Sequence, residues 1–157
     1  MEAPLQLFQH QSRGLEIARD HRKFAFFWEP GTGKTIAILS VYQERPMRTL
    51  VVAAKSIIWT AWERDAETLG VDLRVVYHKN RAKRLGLIAD PGDHLLVTNY
   101  EQFRMHVGAF IDTGVRRVVF DESSKLKNRK AKVSIAAHLM GDQCQEVYLL
   151  SGTPAPN

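Results

Sequence analysis

The stretch Trp28-Glu29-Pro30-Gly31-Thr32-Gly33-Lys34-Thr35 decides how the rest of the chain is read. An apolar run, Phe24-Ala25-Phe26-Phe27, leads into it, and Ile36-Ala37-Ile38-Leu39-Ser40-Val41 follows with the look of a helix start. A strand, a glycine-bearing turn and a helix opening on Gly-Lys-Thr make a phosphate cradle. Gly31 and Gly33, with Thr32 between them, let backbone N–H groups converge on oxygens with no Cβ in the way, and the helix N-terminus adds its partial positive charge. In such a cradle Lys34 reaches the terminal phosphates of a nucleotide and the Thr35 hydroxyl sits on Mg²⁺. The full pattern asks for glycine six residues before the lysine, where this chain has Trp28. Other segments therefore have to support the reading.

Working outward, residues 5–19 carry Leu7, Gln11, Gly14, Leu15 and Ala18 at helical spacing. The cradle unit is strand 24–28, turn 29–33 and helix 34–44, stopped by Arg45-Pro46. Thr49-Leu50-Val51-Val52-Ala53-Ala54 is a near-continuous apolar run, typical of a strand buried on both faces. Ser56 is placed to N-cap a helix carrying Ile57, Ile58, Trp59, Trp62 and Ala66. Further strands are expected at 73–77, 94–98, 116–120 and 146–150, with helices at 80–87, near 100–105 and over 130–140. The expected architecture is α/β, a three-layer sandwich around a mostly parallel sheet, in one domain spanning 1–157. Ligands of such sheets bind at the carboxyl ends of the strands. The glycine turn, Thr98, Asp121-Glu122 and the Ser151–Thr153 segment all fall there.

The bulk numbers agree with a single domain. The chain has 157 residues, 45% hydrophobic and 25% charged, enough to bury a core. A net charge of +5 favours a polyanionic partner without requiring one. The single Cys144 excludes an internal disulfide and a cysteine metal cluster, and a reducing, cytoplasmic compartment or a DNA-associated one suits it. No apolar run approaches the roughly 20 residues of a membrane span, and the N-terminus lacks the layout of a signal peptide.

Arg116-Arg117-Val118-Val119-Phe120 runs into Asp121-Glu122. A strand ending in two carboxylates is what Mg·ATP chemistry needs opposite a phosphate cradle: Asp121 to hold the ion and Glu122 to orient and deprotonate water. The competing reading is a strand end and turn; the Gly-Lys-Thr unit on the same sheet favours chemistry.

With these residues in view, the chain resembles the N-terminal RecA-like lobe of a superfamily 2 Swi/Snf-type helicase-like DNA translocase. Leu7 to Gly14 resembles the segment in which a glutamine, here Gln11, reads adenine. Glu29 to Thr35 resembles motif I, in a family that commonly lacks the early glycine. Leu50 to Glu63, with Lys55, Ser56, Trp59 and Trp62, is similar to motif Ia, and Val97-Thr98-Asn99-Tyr100-Glu101 to motif Ib. Val119 to Asn128, including Lys127 and Asn128, resembles motif II and its extension, and Leu150 to Asn157, with Ser151 and Thr153, motif III. The resemblance implies ATP and Mg²⁺ as ligands, double-stranded DNA as a partner and a second RecA-like lobe carrying arginines that reach the γ-phosphate. An arginine finger contributes about 10³–10⁵ in rate in related enzymes. The lone lobe is therefore expected to bind nucleotide and hydrolyse it poorly.

One departure is Asp-Glu-Ser-Ser at 121–124, where many relatives have Asp-Glu-Ala-His; Ser124 cannot titrate near neutrality as histidine can. Several residues carry two readings. Lys55 and Ser56 serve a DNA phosphate or a plain helix cap, and Thr98, Asn99 and Tyr100 a nucleic-acid backbone or turn chemistry. Trp59 and Trp62, three apart, are expected to share a buried face. Of two basic clusters, Lys79 to Arg84 reads as a solvated face, and Lys125 to Lys132 leans toward nucleic acid. Two other functions stay open: a stand-alone nucleotide- or nucleic-acid-binding regulatory module without motor activity, and a small phosphotransferase, for which no lid or acceptor segment is evident.

Overall fold

The computed structural model describes residues 6–29 and 31–152. The order is α1 (Gln9–Asp20), β1 (Lys23–Phe27), α2 (Lys34–Glu44), β2 (Thr49–Ala53), then a helical segment of three parts. Those parts are α3 (Lys55–Ile57), a π-helical turn (Ile58–Glu63) and α4 (Arg64–Thr68). β3 (Leu73–Val75), α5 (Arg81–Ala89), β4 (Leu95–Asn99), α6 (Tyr100–Asp112) and β5 (Arg117–Asp121) follow. A 3₁₀ turn (Ser123–Leu126), α7 (Lys132–Gln143) and β6 (Glu146–Ser151) complete the described chain.

The six strands form one sheet in the order β1-β6-β5-β2-β4-β3, every pairing parallel. Strands β2, β4 and β5 are buried at all five positions, as the consecutive apolar residues at their centres lead one to expect. Successive side chains point to opposite faces, so the central strands β2, β4, β5 and β6 feed two cores. Val51, Ala53, Leu95, Val97, Val119, Tyr148 and Leu150 join Leu15, Ile38, Leu39 and Trp62 on one side. Leu50, Val52, Leu96, Val118 and Phe120 join Phe103, Phe110 and Met140 on the other. This is the expected three-layer α/β sandwich, with a wholly parallel sheet among the described residues. None of their helices is long and apolar enough to cross a membrane.

Three expectations change. Ser56 is not an N-cap: Ala54 occupies that position, and Ser56 lies inside the helix, its carbonyl accepting the Thr60 hydroxyl at 2.9 Å. Trp59 and Trp62 do not share a face. The i→i+5 winding of Ile58–Glu63 turns residues three apart away from each other, so Ile58, Trp62 and Ala66 are buried while Trp59 is exposed. The basic helix α5 is not wholly solvated either. Arg84 is buried, donating from Nε to His106 Nε2 at 2.9 Å and from its terminal nitrogen to the His78 and Lys79 carbonyls. Burial, with Arg84 and Arg81 close by, lowers the His106 pKa and keeps its ring a neutral acceptor.

At the amino ends of the strands lies a charge network with no counterpart in the sequence reading. Glu146 and Arg117, adjacent in the β5–β6 register, are both fully buried. The Glu146 carboxylate accepts Arg117 Nε at 2.6 Å and the Tyr148 hydroxyl at 2.6 Å, with Arg45 at 2.8 Å and Arg22 at 3.2 Å. Arg117 also donates to the Arg45 carbonyl, and Arg45 to the Ala18 carbonyl. The cluster therefore ties β5 and β6 to the ends of α1 and α2. Burial pushes the Glu146 pKa up, but the hydrogen bonds from Tyr148 and Arg117 and the neighbouring charges outweigh it, leaving it below its ordinary 4.5.

Removing one partner strands buried charge, so Glu146→Gln is expected to destabilise the fold by about 3–5 kcal/mol in urea titrations at pH 7. A loss below about 1 kcal/mol shows that the network does not hold these elements together. A depressed folded pKa means that the Glu146 contribution is complete above pH 4.5 and is lost as pH falls through the folded value. The stability gap between wild type and Glu146→Gln should narrow on acidification over that range.

Candidate active site

The site is built where β1, β6 and β5 end side by side. Residue 27 of β1 pairs with Ser151, and Asp121 of β5 pairs with Leu150, so β6 separates the glycine turn from the carboxylates by one strand. In the turn, Gly31 has φ +78° and Gly33 φ +79°, the left-handed region that favours glycine. A Cβ on Gly33 would also lie 2.1 Å from Gln11 Nε2. Gly33 is the N-cap of α2, whose first residues are Lys34 and Thr35. The Lys34 ammonium donates to the carbonyls of Trp28 at 2.6 Å and Glu29 at 3.1 Å, leaving one of its three donors. Burial lowers its pKa, opposed by the charges of Asp121 and then Glu122.

Gln11 is buried against the turn rather than exposed on its helix. Its Oε1 accepts the Phe8 N–H at 2.9 Å, holding the start of α1, and its Nε2 donates to the Thr32 carbonyl at 3.2 Å. The amide keeps one N–H and one lone pair for another partner. The Thr32 hydroxyl bonds the Glu29 carbonyl at 2.7 Å, closing the turn on itself. Gly14 permits the approach of α1: a Cβ there would lie 2.6 Å from both the Phe26 and Trp28 rings.

Asp121 is buried, and its Oδ2 accepts the indole N–H of Trp62 at 2.9 Å. Burial raises its pKa, while the Trp62 bond, the Glu122 backbone N–H and Lys34 pull it down. The Tyr100 hydroxyl donates to the Asp121 main-chain carbonyl. Burial, with Asp121 and Glu122 nearby, raises the Tyr100 pKa and keeps that hydroxyl a donor. Glu122 stands at φ +59°, alone among described non-glycine residues in the left-handed region, a strain that collects at functional positions. The Ser124 hydroxyl donates to Glu122 Oε1 at 3.2 Å, so the residue standing where histidine is usual braces the neighbouring carboxylate. Among the described residues no group of three His, Cys, Asp or Glu could hold a metal ion. Mg²⁺ needs no such group, since it takes one or two protein oxygens and completes its shell with water and phosphate.

The remaining candidates separate. Lys55 and Ser56 are exposed beyond β2, with the Lys55 ammonium 5.0 Å from the centre of the Tyr77 ring. Lys127 and Asn128 are exposed after the 3₁₀ turn, and Asn128 Oδ1 accepts the Lys130 N–H. Thr98 is fully buried, its hydroxyl on the Val76 carbonyl at 2.8 Å, and Asn99 caps α6 by accepting the Gln102 N–H at 2.9 Å. With Tyr100 on Asp121, these three side chains make the strand-end and turn contacts that were the second of their two readings. Ser151 is buried at the end of β6, and Thr153 lies outside the described residues. Sequence reasoning missed Trp62, Tyr100 and Ser124 as supports of the carboxylates. The four-residue spacing of Ile58, Trp62 and Ala66 was the available signal.

Residues 10–157 match the SNF2-related domain family. The chain is 30% identical over 155 residues to DNA repair protein RAD5 of Yarrowia lipolytica, which covers 82% of this chain and 15% of that protein. It is 30% identical over 149 residues to human chromodomain-helicase-DNA-binding protein 7, covering 82% of this chain and 5% of the relative. The Sulfolobus solfataricus SWI2/SNF2 ATPase core, solved in complex with dsDNA, superposes with a TM-score of 0.74 at 20% identity, over 95% of this chain and 32% of that one. The chain thus spans under a quarter of these curated relatives and a third of the solved core. The family match and the shared parallel-sheet architecture lead to one conclusion: the chain belongs to the SNF2-related family, as the N-terminal RecA-like lobe of a Swi/Snf helicase-like protein.

Proposed function

We propose that this lobe binds Mg·ATP and supplies half of the active site of a DNA-dependent ATPase and translocase, completed by a second RecA-like lobe. The observation that carries the reading is the strand register: β6 alone separates the end of β1, from which the glycine turn and Lys34 at the head of α2 follow, from the end of β5 with Asp121 and the adjoining Glu122. On this reading Trp28–Gly33 is the phosphate loop. Lys34 exchanges its bonds to the Trp28 and Glu29 carbonyls for bonds to phosphate oxygens, which are stronger because both partners are charged. Gln11 uses its remaining amide groups on adenine. Thr35 and Asp121 hold Mg²⁺, which offsets the negative charge of the phosphates. Glu122 orients a water and takes its proton as the water oxygen bonds the γ-phosphorus. The bond to the β,γ-bridging oxygen breaks, and ADP leaves with that electron pair. Catalysis of this kind is mostly positioning and charge stabilisation, so a lobe without partner arginines is slow.

Lys34→Ala is expected to abolish Mg·ATP binding by calorimetry; unchanged affinity removes the phosphate loop from the account. Glu122→Gln should keep binding and lose hydrolysis in single-turnover assays with a second lobe supplied. Turnover within about tenfold of wild type excludes Glu122 as the base, since a positioned base contributes about 10²–10⁴-fold.

Duplex DNA is the proposed partner, which fits association with the nucleus or nucleoid. The solved SWI2/SNF2 core was captured on dsDNA, and this chain carries a net charge of +5 with Lys55, Lys127, Asn128 and Arg129 exposed beyond the carboxyl ends of the strands. Ser56 lies beside Lys55 in the same exposed start of the helical segment, while Ser151 and Thr153 link the nucleotide to that surface. Each phosphate contact steepens the log–log salt dependence by about 0.9. Lys55→Ala and Lys127→Ala should each reduce that slope by about one contact in anisotropy titrations with duplex DNA; a slope unchanged in both moves the DNA surface elsewhere. Nucleotide turnover that duplex DNA never stimulates, even with a second lobe, favours a regulatory binding module over a motor.

A further inference from the structure

We propose that Trp62 is a positioning residue for the phosphoryl-transfer site: its indole N–H fixes the orientation of the Asp121 carboxylate and so the oxygen that Asp121 offers to a divalent cation. This rests on the reading of Asp121 as the carboxylate that holds Mg²⁺.

Three observations carry it. First, Trp62 is wholly buried, and Nε1 lies 2.9 Å from Oδ2 of a carboxylate that is itself only 8% exposed. A buried carboxylate needs partners, and the obvious ones, lysine or arginine, would neutralise the charge that a cation must find. Indole is a neutral donor with one N–H and no acceptor, so it occupies one lone-pair direction, leaves the full negative charge and cannot titrate away.

Second, packing alone does not call for this residue. Ile58 and Ala66 share its buried face and meet the same core with purely apolar side chains. A phenylalanine would bury comparable surface at position 62; only indole also donates. Third, Trp62 sits in the π-helical turn Ile58–Glu63, where it is buried on Asp121 while Trp59 of the same turn is 40% exposed. Turns of this kind are costly and recur at functional sites. From the opposite flank the Tyr100 hydroxyl grips the Asp121 carbonyl. Side chain and main chain of one residue are thus held by two neutral donors from two separate elements.

The test compares wild type with Trp62→Phe in this chain, using a fluorescent ATP analogue titrated in EDTA and across a range of Mg²⁺ concentrations. A hydrogen bond to a charged group is worth enough to change an equilibrium about tenfold or more. The Mg²⁺ enhancement of analogue affinity should therefore fall about tenfold in Trp62→Phe. A variant that melts at lower temperature but keeps the wild-type Mg²⁺ enhancement overturns the proposal and leaves Trp62 a packing residue. Wild-type NMR supplies a second readout should the variant fail to fold. The Trp62 indole N–H is expected to exchange slowly with solvent and to shift both in Asp121→Asn and on addition of Mg²⁺ alone; a resonance indifferent to both also overturns it. A wild-type chain that binds no analogue at any Mg²⁺ concentration sinks the nucleotide reading instead, and the response of the indole resonance to Mg²⁺ alone then decides the role of Trp62 by itself.

Discussion

Parallel pairing is the constraint on which the rest of this molecule depends. Each of the five strand pairings is parallel, so every strand must be followed by a crossover before the chain can rejoin the sheet. The crossovers cover both faces, which is why β2, β4 and β5 are buried at every position and why two cores form instead of one. All carboxyl ends then lie along one edge, and the glycine turn, Tyr100, Asp121-Glu122 and Ser151 meet there although far apart in sequence. The chemistry is a consequence of the pairing rule.

The two ends of the sheet treat buried charge in opposite ways. At the amino ends, Glu146 is ringed by Arg117, Arg45, Arg22 and the Tyr148 hydroxyl, so its charge is compensated inside the protein. At the carboxyl ends, Asp121 is held by the neutral donors of Trp62 and Tyr100, and the cation within reach is Lys34, itself resting on carbonyl oxygens. A compensated cluster clamps helices to strands; at the other end the Asp121 carboxylate takes its direct side-chain hydrogen bond from a neutral indole instead of a guanidinium. The difference lies in the donors, since both carboxylates sit at strand ends.

Much of this was legible beforehand, and what was not has identifiable causes. The glycine turn, the strand ending in Asp-Glu and the unbroken apolar runs could be read because local sequence records burial and special backbone conformations directly. Gln11 could be placed at helical spacing, but nothing in its own helix announces that its amide will bond the Phe8 N–H and the Thr32 carbonyl. Thr98 and Asn99 sit where a ligand contact was expected, yet strand-end geometry gives Thr98 the Val76 carbonyl and Asn99 the first turn of α6. Trp62 is buried as expected, but Trp59 is not, because the shared face was inferred from α-helical periodicity and the segment winds as a π-helical turn.

By itself the sequence determined the residue types at each strand end, the six strands in their order along the chain and the presence of a glycine turn after the first of them. These are properties of short windows, where periodicity and glycine content act directly on backbone and burial. Only the tertiary structure decided that β6 lies between β1 and β5, that Glu146 faces Arg117 and that Trp62 reaches Asp121. Strand order and side-chain partnership are non-local: an apolar run states that it will be buried, and the packing of the whole chain decides against what.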